Sequence, residues 1–237
     1  MNLLLFRDED FTGPDTVSIT GRRFMHVKKV IRAKIGTQLA CGRLNGMMGT
    51  GEVTAIDRNG FQMTVSFDRQ PPPKLPLTLV LAMPRPKMLK RILQAATSMG
   101  VRDIYLINAF RVEKSFWLSD LLEPEKLERH LLLGLEQAKD TVLPNLYLKR
   151  YFTSFVKTDL TRMSQGKNCI LAHPKTSQPC PVGVKEDTIL VIGPEGGFID
   201  LEVETLGEAG FAPYSMGQRI LRVETAVTAL ISRLFPA

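Results

Sequence analysis

Two stretches, Ile189-Leu-Val-Ile-Gly-Pro-Glu-Gly-Gly-Phe198 and Tyr214-Ser-Met-Gly-Gln-Arg-Ile-Leu-Arg-Val-Glu-Thr-Ala-Val-Thr228, carry most of what this chain says about its fold. Each is a short apolar run that leads into a glycine-bearing loop, and the second loop opens a helical pattern. In an open α/β sheet, ligands bind at the carboxyl ends of the strands. Glycine lets a backbone come close to a ligand, because it has no side chain. The two loops together therefore predict a pocket for a purine-like cofactor that the main chain contacts.

A phosphate-binding loop fits the first stretch less well. Residues 193–198 lack the Gly-Lys-Ser/Thr ending of a P-loop and the G-x-G-x-x-G spacing of a dinucleotide fold. Glu195 would also repel a phosphate, which disfavours a nucleotide-phosphate enzyme. Taken alone, Gly196 and Gly197 fit a simple tight turn equally well. It is the pairing with the second loop that favours a binding site.

Length and composition bound the class of protein. The 237 residues predict one or two domains, at roughly 100–200 residues per domain. The three cysteines, Cys41, Cys169 and Cys180, are odd in number and lack C-x-x-C spacing, which argues against a disulfide framework or a zinc site and fits a reducing cytoplasm. The three histidines are scattered, so we expect no metal. The apolar start meets charge at Arg7, too early for a signal peptide, and no run is long enough to cross a membrane.

The charge distribution points to a polyanionic partner. The net charge is +7, and the stretches 20–34 and 69–102 contain several lysines and arginines but no acid. Such stretches are typical of nucleic-acid binding. The alternative is a pair of solvated basic faces. The candidate RNA-binding residues, all in the first stretch, are Arg22, Arg23, Lys28, Lys29 and Arg32.

The proline-rich segment 70–76 predicts a stiff linker between two domains, since consecutive prolines fit neither a helix interior nor a central strand. Residues 1–69 are mostly alternating strand patterns with one basic helix over 21–32, which predicts a small β-barrel. Residues 77–237 alternate strands with helices, which predicts an α/β domain with a mostly parallel sheet. Its strands are expected at 77–82, 103–107, 146–150, 168–172, 188–192 and 211–215, and its helices at 87–99, 123–139 and 225–235.

Three motifs, His173-Pro174, Ile192–Gly197 and Met216–Thr225, together resemble the RsmE-type ribosomal RNA methyltransferases of the SPOUT superfamily. The resemblance covers the whole chain and implies a PUA-like RNA-binding β-barrel at 1–69, the linker at 70–76, and a SPOUT methyltransferase domain at 77–237. It also implies a C-terminal trefoil knot, a rare exception to unknotted chains. The family is dimeric and methylates N3 of a uridine in 16S ribosomal RNA with S-adenosyl-L-methionine. The implied partners are therefore ribosomal RNA or the small ribosomal subunit, and a second copy of the chain.

The resemblance also implies site residues. By position, the cofactor pocket would use Leu171, His173, Ile192, Gly193, Gly196, Met216, Ile220, Leu221 and Ala226. Arg222 is the candidate for holding the nucleotide or stabilising its negative charge, because guanidinium is a planar fork that stays charged. Glu224 is a second catalytic candidate, or else a carboxylate favoured by a helix N-terminus. Arg219 fits a phosphate contact or a surface residue, and His173 fits a cofactor contact or a core histidine.

Two segments depart from the family pattern. Within Glu136–Asp140 and Ser98–Gly100, the positions Ala138–Asp140 and Ser98 differ from it, in a part of the chain that the resemblance expects to face RNA or the partner subunit. These departures leave the target nucleotide open. An alternative function, from another class, is a catalytically idle RNA-binding or ribosome-assembly factor on the same scaffold. The intact glycine loops argue against loss of the cofactor site.

Overall fold

A computed structural model describes residues 2–236 and divides into two compact units. The first comprises the chain up to Pro73 together with Leu131–Leu143, and the second comprises Lys74–His130 together with the chain from Pro144. The sequence analysis placed 131–143 in the second domain, whereas in the structure it packs with the first. The helical pattern of 123–139 could not show this, because periodicity identifies an apolar face but not what covers it.

The first unit contains a five-stranded sheet in the order β1-β3-β4-β5-β2, in which β1 and β3 are parallel and the other pairs antiparallel. Its strands are β1 (Leu4–Phe6), β2 (Thr16–Thr20), β3 (Gln38–Arg43), β4 (Met48–Ile56) and β5 (Gly60–Arg69). The predicted helix over 21–32 is shorter: α1 (Gly21–His26) is followed by a π-helical turn, Val27–Ile31. A 3-10 turn spans Asp8–Asp10.

Strand β1 is buried on both faces. Leu4 and Phe6 join the main core of the unit, while Leu3 and Leu5 pack with Leu135 in a second cluster. Successive side chains of a strand point to opposite faces, so a strand covered on both sides shows a continuous apolar run instead of alternation. This is why the start of the chain carried no recognisable strand pattern.

The second unit contains a six-stranded sheet in which every pair is parallel, in the order β11-β9-β10-β6-β7-β8. The strands are β6 (Leu75–Ala82), β7 (Val101–Ile107), β8 (Asn145–Lys149), β9 (Asn168–Ala172), β10 (Thr188–Ile192) and β11 (Ala212–Tyr214). This confirms the predicted α/β class and parallel sheet. Every residue of β10 is buried, as expected for a central strand covered on both faces.

Helices connect these strands. They are α2 (Pro86–Ser98), α3 (Pro124–Ala138), α4 (Phe152–Ser154), α5 (Thr161–Ser164), α6 (Asp200–Glu208) and α7 (Val223–Leu234). A π-helical turn, Phe155–Leu160, joins α4 to α5, and 3-10 turns lie at Lys114–Leu118 and Asp120–Leu122. The segments 152–164 and 200–208 were not predicted as helices. Within residues 2–236, none of the helices combines the length and apolar character needed to cross a membrane.

The order in which the chain adds strands to the sheet reverses between β6 and β10, although all strands stay parallel. From β6 the chain continues outward through β7 and β8, and the later strands β10, β9 and β11 lie on the other side. Ligands of open α/β sheets bind in the crevice at the carboxyl ends of the strands beside such a reversal. The topology therefore places a binding crevice at the ends of β6, β9, β10 and β11.

Candidate active site

The three loops singled out in the sequence meet at this edge. Strands β11, β9 and β10 are neighbours and parallel, so the segments that follow them, 173–175, 193–198 and 215–222, surround one cavity of about 880 Å³. Arg85, Lys87 and Met88, which follow β6, complete the wall. Pockets for drug-sized ligands and cofactors span roughly 300–1,000 Å³, so this cavity is large enough for one.

Most of the predicted cofactor residues line this cavity. They are His173, Ile192, Gly193, Gly196, Met216, Ile220, Leu221 and Ala226. Leu171 does not line it: its side chain is fully buried in the sheet, and its neighbour Ala172 lines the cavity instead. Side chains of consecutive strand residues point to opposite faces, so a shift of one position moves a side chain out of the site.

The loop after β10 is both a tight turn and a cavity wall. Gly197 N–H donates to Pro194 O at 2.8 Å, and Gly197 has φ +72°, a left-handed conformation that favours glycine. A Cβ on Gly193 would come within 3.1 Å of the Phe198 ring. Glu195 Oε1 accepts a hydrogen bond from the backbone N–H of Arg85 at 3.2 Å. The two interpretations of the glycines are therefore compatible, since the turn shapes the wall.

A further cation, Arg111, reaches this wall from the loop after β7. Its Nη1 donates to Gly196 O at 2.5 Å, and it lines the cavity. A Cβ on Gly196 would lie 3.0 Å from Arg111 Cδ. Sequence reasoning missed Arg111, and it noted Arg85 and Lys87 only as part of an acid-free stretch. The one available signal was their position just after predicted strands, where the carboxyl ends of a parallel sheet meet.

The second glycine loop presents Arg222 at the start of α7. Arg222 is the N-cap residue of this helix, and its carbonyl accepts the N–H of Ala226 at 2.8 Å. The Arg222 side chain is exposed, and within residues 2–236 its guanidinium makes no hydrogen bond or ion pair. Glu224 lies in the first turn of the same helix. A helix N-terminus carries partial positive charge, so Arg222 and the helix end together can stabilise an anion.

The charges that line the cavity are mostly positive. Glu195 and Glu224 are its two carboxylates. Its cations are Arg85, Lys87, Arg111, Lys175, Arg219 and Arg222. An excess of cations concentrates an anionic partner at the cavity mouth. Within residues 2–236, no cluster of histidine, cysteine, aspartate and glutamate side chains is arranged to hold a metal ion.

His173 follows β9 and its backbone N–H donates to Tyr214 O at 2.9 Å, which ties the ends of β9 and β11 together. Its ring is half-buried and lines the cavity. Burial lowers the pKa of the His173 imidazole from its ordinary value and the nearby Lys175 lowers it further, while Asp200 acts in the opposite direction. His173 is therefore neutral at pH 7.

Two of the predicted RNA-binding cations are engaged within the first unit. Arg22 forms a two-point ion pair with the buried Glu136, with Nη1 to Oε2 at 2.9 Å. Arg23 does the same with the buried Asp10, at 2.6 and 2.7 Å, and also donates to Leu5 O. Both guanidiniums therefore stabilise this unit through ion pairs with buried carboxylates. The Arg22 side chain is still 40% exposed and that of Arg23 21%, so their assignment as RNA contacts stays a prediction.

The remaining predicted RNA contacts, Lys28, Lys29 and Arg32, are exposed and form what we call the basic segment. Lys28 Nζ lies 5.0 Å from the centroid of the Phe24 ring. Asp140, one of the positions that depart from the family pattern, is buried in the first unit, as is Glu136, which matches the pattern. A buried carboxylate cannot contact RNA directly, so Asp140 does not face RNA or a partner, contrary to the expectation.

Comparisons with known proteins agree with this geometry. A family model described as an RNA methyltransferase domain matches residues 71–235. Ribosomal RNA small subunit methyltransferase E of Treponema pallidum (strain Nichols) is 30% identical over 235 residues, which are 97% of this chain and 88% of the relative. The protein of the same name from Bacillus subtilis (strain 168) is 26% identical over 231 residues, covering 92% and 89% of the two chains.

Solved structures show the same fold. A ribosomal RNA small subunit methyltransferase E from Neisseria gonorrhoeae bound to S-adenosyl methionine has a TM-score of 0.76 at 18% identity, covering 98% of this chain and 95% of that one. A Legionella pneumophila putative methyltransferase in complex with SAM has a TM-score of 0.75 at 21% identity, with the same coverage. By the family model and its curated relatives, this chain belongs to the RNA methyltransferases, and among them to the family of ribosomal RNA small subunit methyltransferase E.

Proposed function

We propose that this protein transfers a methyl group from S-adenosyl-L-methionine to N3 of a uridine in small-subunit ribosomal RNA. The observation that carries the proposal is the meeting of three strand-end loops, two of them glycine-bearing, around one cavity with an excess of cations. The names of the curated relatives support the substrate, and the S-adenosyl methionine bound to a solved relative supports the cofactor. Because the substrate is ribosomal RNA, we place the reaction in the cytoplasm.

The residues of the cavity fit the cofactor. Gly193 and Gly196 bring main-chain groups to the wall, and apolar side chains such as Ile192, Met216 and Leu221 can enclose an adenine ring. S-adenosyl-L-methionine, when bound, supplies an electrophilic methyl group on a sulfonium. The task left to the protein is mainly alignment, which holds the reacting nitrogen close to that methyl group.

The uracil must also become nucleophilic, since N3 carries a proton that has to leave. We assign Arg222 to stabilise the negative charge that then develops on the base, together with the N-terminus of α7. Glu224, in the first turn of the helix, is our candidate for taking the proton or directing it to solvent. Arg219 lines the same cavity and is a candidate phosphate contact.

We expect the affinity for S-adenosyl-L-methionine to be independent of pH above about 6.5 and to decrease only as the pH falls below that value. The pKa of His173 is lowered, so the folded state favours the neutral imidazole, and protonation below that pKa would add a cation to the cavity that is to hold the cationic cofactor. Titration calorimetry over this pH range measures the effect. His173→Gln should remove the dependence, whereas His130→Gln, outside the cavity, should keep it. An affinity that already declines between pH 8 and 7 would contradict the assignment.

For the first unit we propose a PUA-like β-barrel that binds RNA. Its five strands enclose one apolar core, which contains Phe6, Val17, Ile19, Phe61 and Met63 among others. The basic segment provides the charge, as three exposed cations without a neighbouring acid in the sequence. The proposed domains are thus an RNA-binding barrel over 1–69, the linker 70–76, and a SPOUT methyltransferase domain over 77–237, with 131–143 packed in the first unit.

Replacing Lys28 and Lys29 together with glutamine should weaken RNA binding and lower the slope of log affinity against log salt by about 0.7 per lost single-strand phosphate contact. Cofactor affinity should not change. The charge-matched control is Lys157→Gln with Lys185→Gln, two exposed lysines of the second unit. Filter binding or anisotropy at several salt concentrations gives the slope. Equal slopes for the two double variants would mean that the basic segment is only a solvated face.

For the second unit we propose a trefoil knot. The segment that follows β9 is hydrogen-bonded to the chain beyond β11: Cys180 N–H donates to Ser215 O at 2.9 Å, and Ser215 N–H donates to Gln178 O at 2.8 Å. The same segment reaches the end of α7, since Val184 N–H donates to Leu234 O at 2.8 Å. These contacts are those expected if the C-terminal helix passes through the loop between β9 and β10.

We further propose that the protein is a homodimer. The apolar stripe of α7 does not carry this proposal, because Val223, Val227, Leu230, Ile231 and Leu234 are buried within the second unit. Other apolar side chains of that unit remain exposed, among them Val182, Leu201 and Ile220. Exposed apolar side chains near a binding loop are typical of a surface that another chain covers.

Light scattering at micromolar concentration should give twice the mass of one chain. Val182→Asp should shift the protein towards the monomer, because it places a charge in an apolar interface. Leu118→Asp, at an exposed leucine elsewhere in the same unit, serves as the control and should leave the mass unchanged. A monomeric wild type would contradict the dimer.

The function itself is tested by mass spectrometry of ribosomal RNA. Small-subunit RNA from a strain that lacks this protein should have lost one N3-methyluridine, and the purified protein with S-adenosyl-L-methionine should restore it. Loss of this N3-methyluridine in the strain, and its restoration by the wild-type protein, would support the methyltransferase function. An unchanged modification pattern, together with intact RNA binding, would instead favour the catalytically idle assembly factor.

A further inference from the structure

Two aromatic side chains stand exposed at the same edge of the sheet as the cavity. Phe110 and Tyr151, 77% and 79% exposed, follow the ends of the neighbouring strands β7 and β8. The backbone N–H of Asn108 donates to Lys149 O at 3.1 Å, which joins these two strand ends. Within residues 2–236 neither ring stacks on another aromatic ring. We call this pair the aromatic edge.

The aromatic edge adjoins the cavity wall. Arg111, the residue after Phe110, lines the cavity and donates to Gly196 O. The backbone N–H of Phe110 donates to Glu202 Oε1 at 2.7 Å, and the other oxygen of this carboxylate accepts the N–H of Ile199 at 3.0 Å. A single carboxylate thus connects the loop that bears Phe110 to the glycine loop after β10.

The position of Phe110 is held firmly although its ring is exposed. Glu202 is 6% exposed, and burial of a carboxylate is costly unless hydrogen bonds compensate, as they do here. Trp117 Nε1 donates to Asn108 Oδ1 at 2.9 Å and fixes the other side of the loop. These hydrogen bonds fix the backbone of the loop, while the ring of Phe110 stays exposed to solvent.

The neighbourhood of Tyr151 is also cationic and ordered. The guanidinium of Arg150 lies 5.4 Å from the ring centroid of Trp117 and donates to Trp117 O at 3.3 Å. Arg111, which follows Phe110 in the chain, is one of the cations that line the cavity. The two rings of the aromatic edge are therefore flanked in the chain by Arg111 and Arg150, whose guanidiniums can contact phosphates.

We propose that the aromatic edge stacks the bases of single-stranded RNA next to the target nucleotide. This inference rests on the proposed function. Aromatic side chains stack unpaired bases, and adjacent cations hold the backbone, which is how proteins bind single-stranded nucleic acid. The charge around the edge favours RNA over a second copy of this net-positive chain. The reactive uridine then lies in the cavity while a neighbouring base is held by Phe110.

The test uses a labelled oligouridylate and the full-length protein. Phe110→Ala should weaken binding at fixed salt by at least about fivefold, the lower end of the range for removal of one base–aromatic stack. Phe110→Tyr should keep most of the affinity, and Phe110→Leu should lose nearly as much as Phe110→Ala. The salt slope should not change, since no phosphate contact is removed. Leu118→Ala, which removes an exposed aliphatic side chain in the same unit, should have no effect.

Catalysis gives a second readout. With ribosomal substrate, Phe110→Ala should raise KM for RNA and leave kcat near that of the wild type, because the stack is present in ground and transition states alike. Unchanged melting temperature and unchanged S-adenosyl-L-methionine affinity would show that the variant is folded and that its cavity is intact.

Several results would overturn the inference. These are an unchanged oligouridylate affinity and KM in Phe110→Ala, an equal affinity for Phe110→Leu and wild type, and a wild type that does not bind oligouridylate. A halved mass of Phe110→Ala in light scattering would instead assign the ring to an interface between two copies. If the wild type binds RNA through Phe110 yet transfers no methyl group, the proposed function fails and the aromatic edge stands. If the wild type transfers the methyl group and Phe110→Ala does so with unchanged KM and RNA affinity, the proposed function stands and the role of the aromatic edge fails.

Discussion

Arg222→Ala is expected to lower the rate of methyl transfer by at least about a hundredfold, which is the scale of removing one preorganised charge-stabilising donor. The variant should keep its fold and most of its cofactor affinity. The guanidinium is exposed at the N-terminus of α7, lines the cavity, and has no ion-pair partner within residues 2–236. Its removal therefore costs little packing. Single-turnover rates at saturating cofactor, melting temperature and cofactor affinity, all measured on this one variant, test the expectation.

Two further variants sharpen this test. Arg222→Lys should recover only part of the rate, because an ammonium cannot reproduce the planar fork of a guanidinium. Arg219→Ala removes an equal charge from the same loop and should affect RNA affinity more than the rate. The competing explanation is that Arg222 only holds the loop, for instance through Glu224. In that case Arg222→Ala would melt earlier and bind the cofactor less well, with near-normal turnover at saturation, and the catalytic role would be excluded.

Gly196→Val is expected to abolish measurable binding of S-adenosyl-L-methionine. Gly196 lies in the cavity wall, and even a Cβ at this position would approach Arg111 Cδ to 3.0 Å. A branched side chain must therefore displace Arg111 or project into the cavity. Titration calorimetry with the cofactor and with its demethylated product measures the loss.

The matched control is Gly207→Ala on α6, where an added Cβ would meet nothing within 4 Å. It should bind the cofactor like the wild type. Combining Gly196→Val with Arg111→Ala separates the two causes, because recovery of binding would show that the displaced arginine, not a filled cavity, was responsible. Wild-type affinity in Gly196→Val alone would remove the cofactor-pocket assignment.

Local chemistry made part of the site predictable. Apolar runs showed where β9 and β10 lie, and the Gly-Gly pair showed a turn, which Gly197 confirms with its φ of +72°. Acid-free stretches showed the excess of positive charge. These are properties of neighbours along the chain, so the sequence carries them directly. The family motifs then identified the loops that belong to one cavity.

At two places the structure adds detail that the sequence pattern does not carry. Leu171 lies one position from the cavity-lining Ala172, because strand side chains alternate between faces. Strand β1 went unnoticed because burial on both faces removes the alternation that marks a strand.

The sequence by itself determined the α/β class, the glycine turns, the basic character and the loops that surround the cavity. Only the tertiary structure decided which residues meet across long separations. It placed Arg111 on the glycine loop, Glu202 behind Phe110, and Arg22 on the buried Glu136, 114 positions away in the chain. Arg22 and Lys28 look alike in sequence, yet Arg22 forms an ion pair with a buried carboxylate, whereas Lys28 Nζ lies 5.0 Å from the centroid of the Phe24 ring. The physical reason is that the energy of a charge depends on its burial and its partner, and both are set by the packing of segments that are distant in sequence.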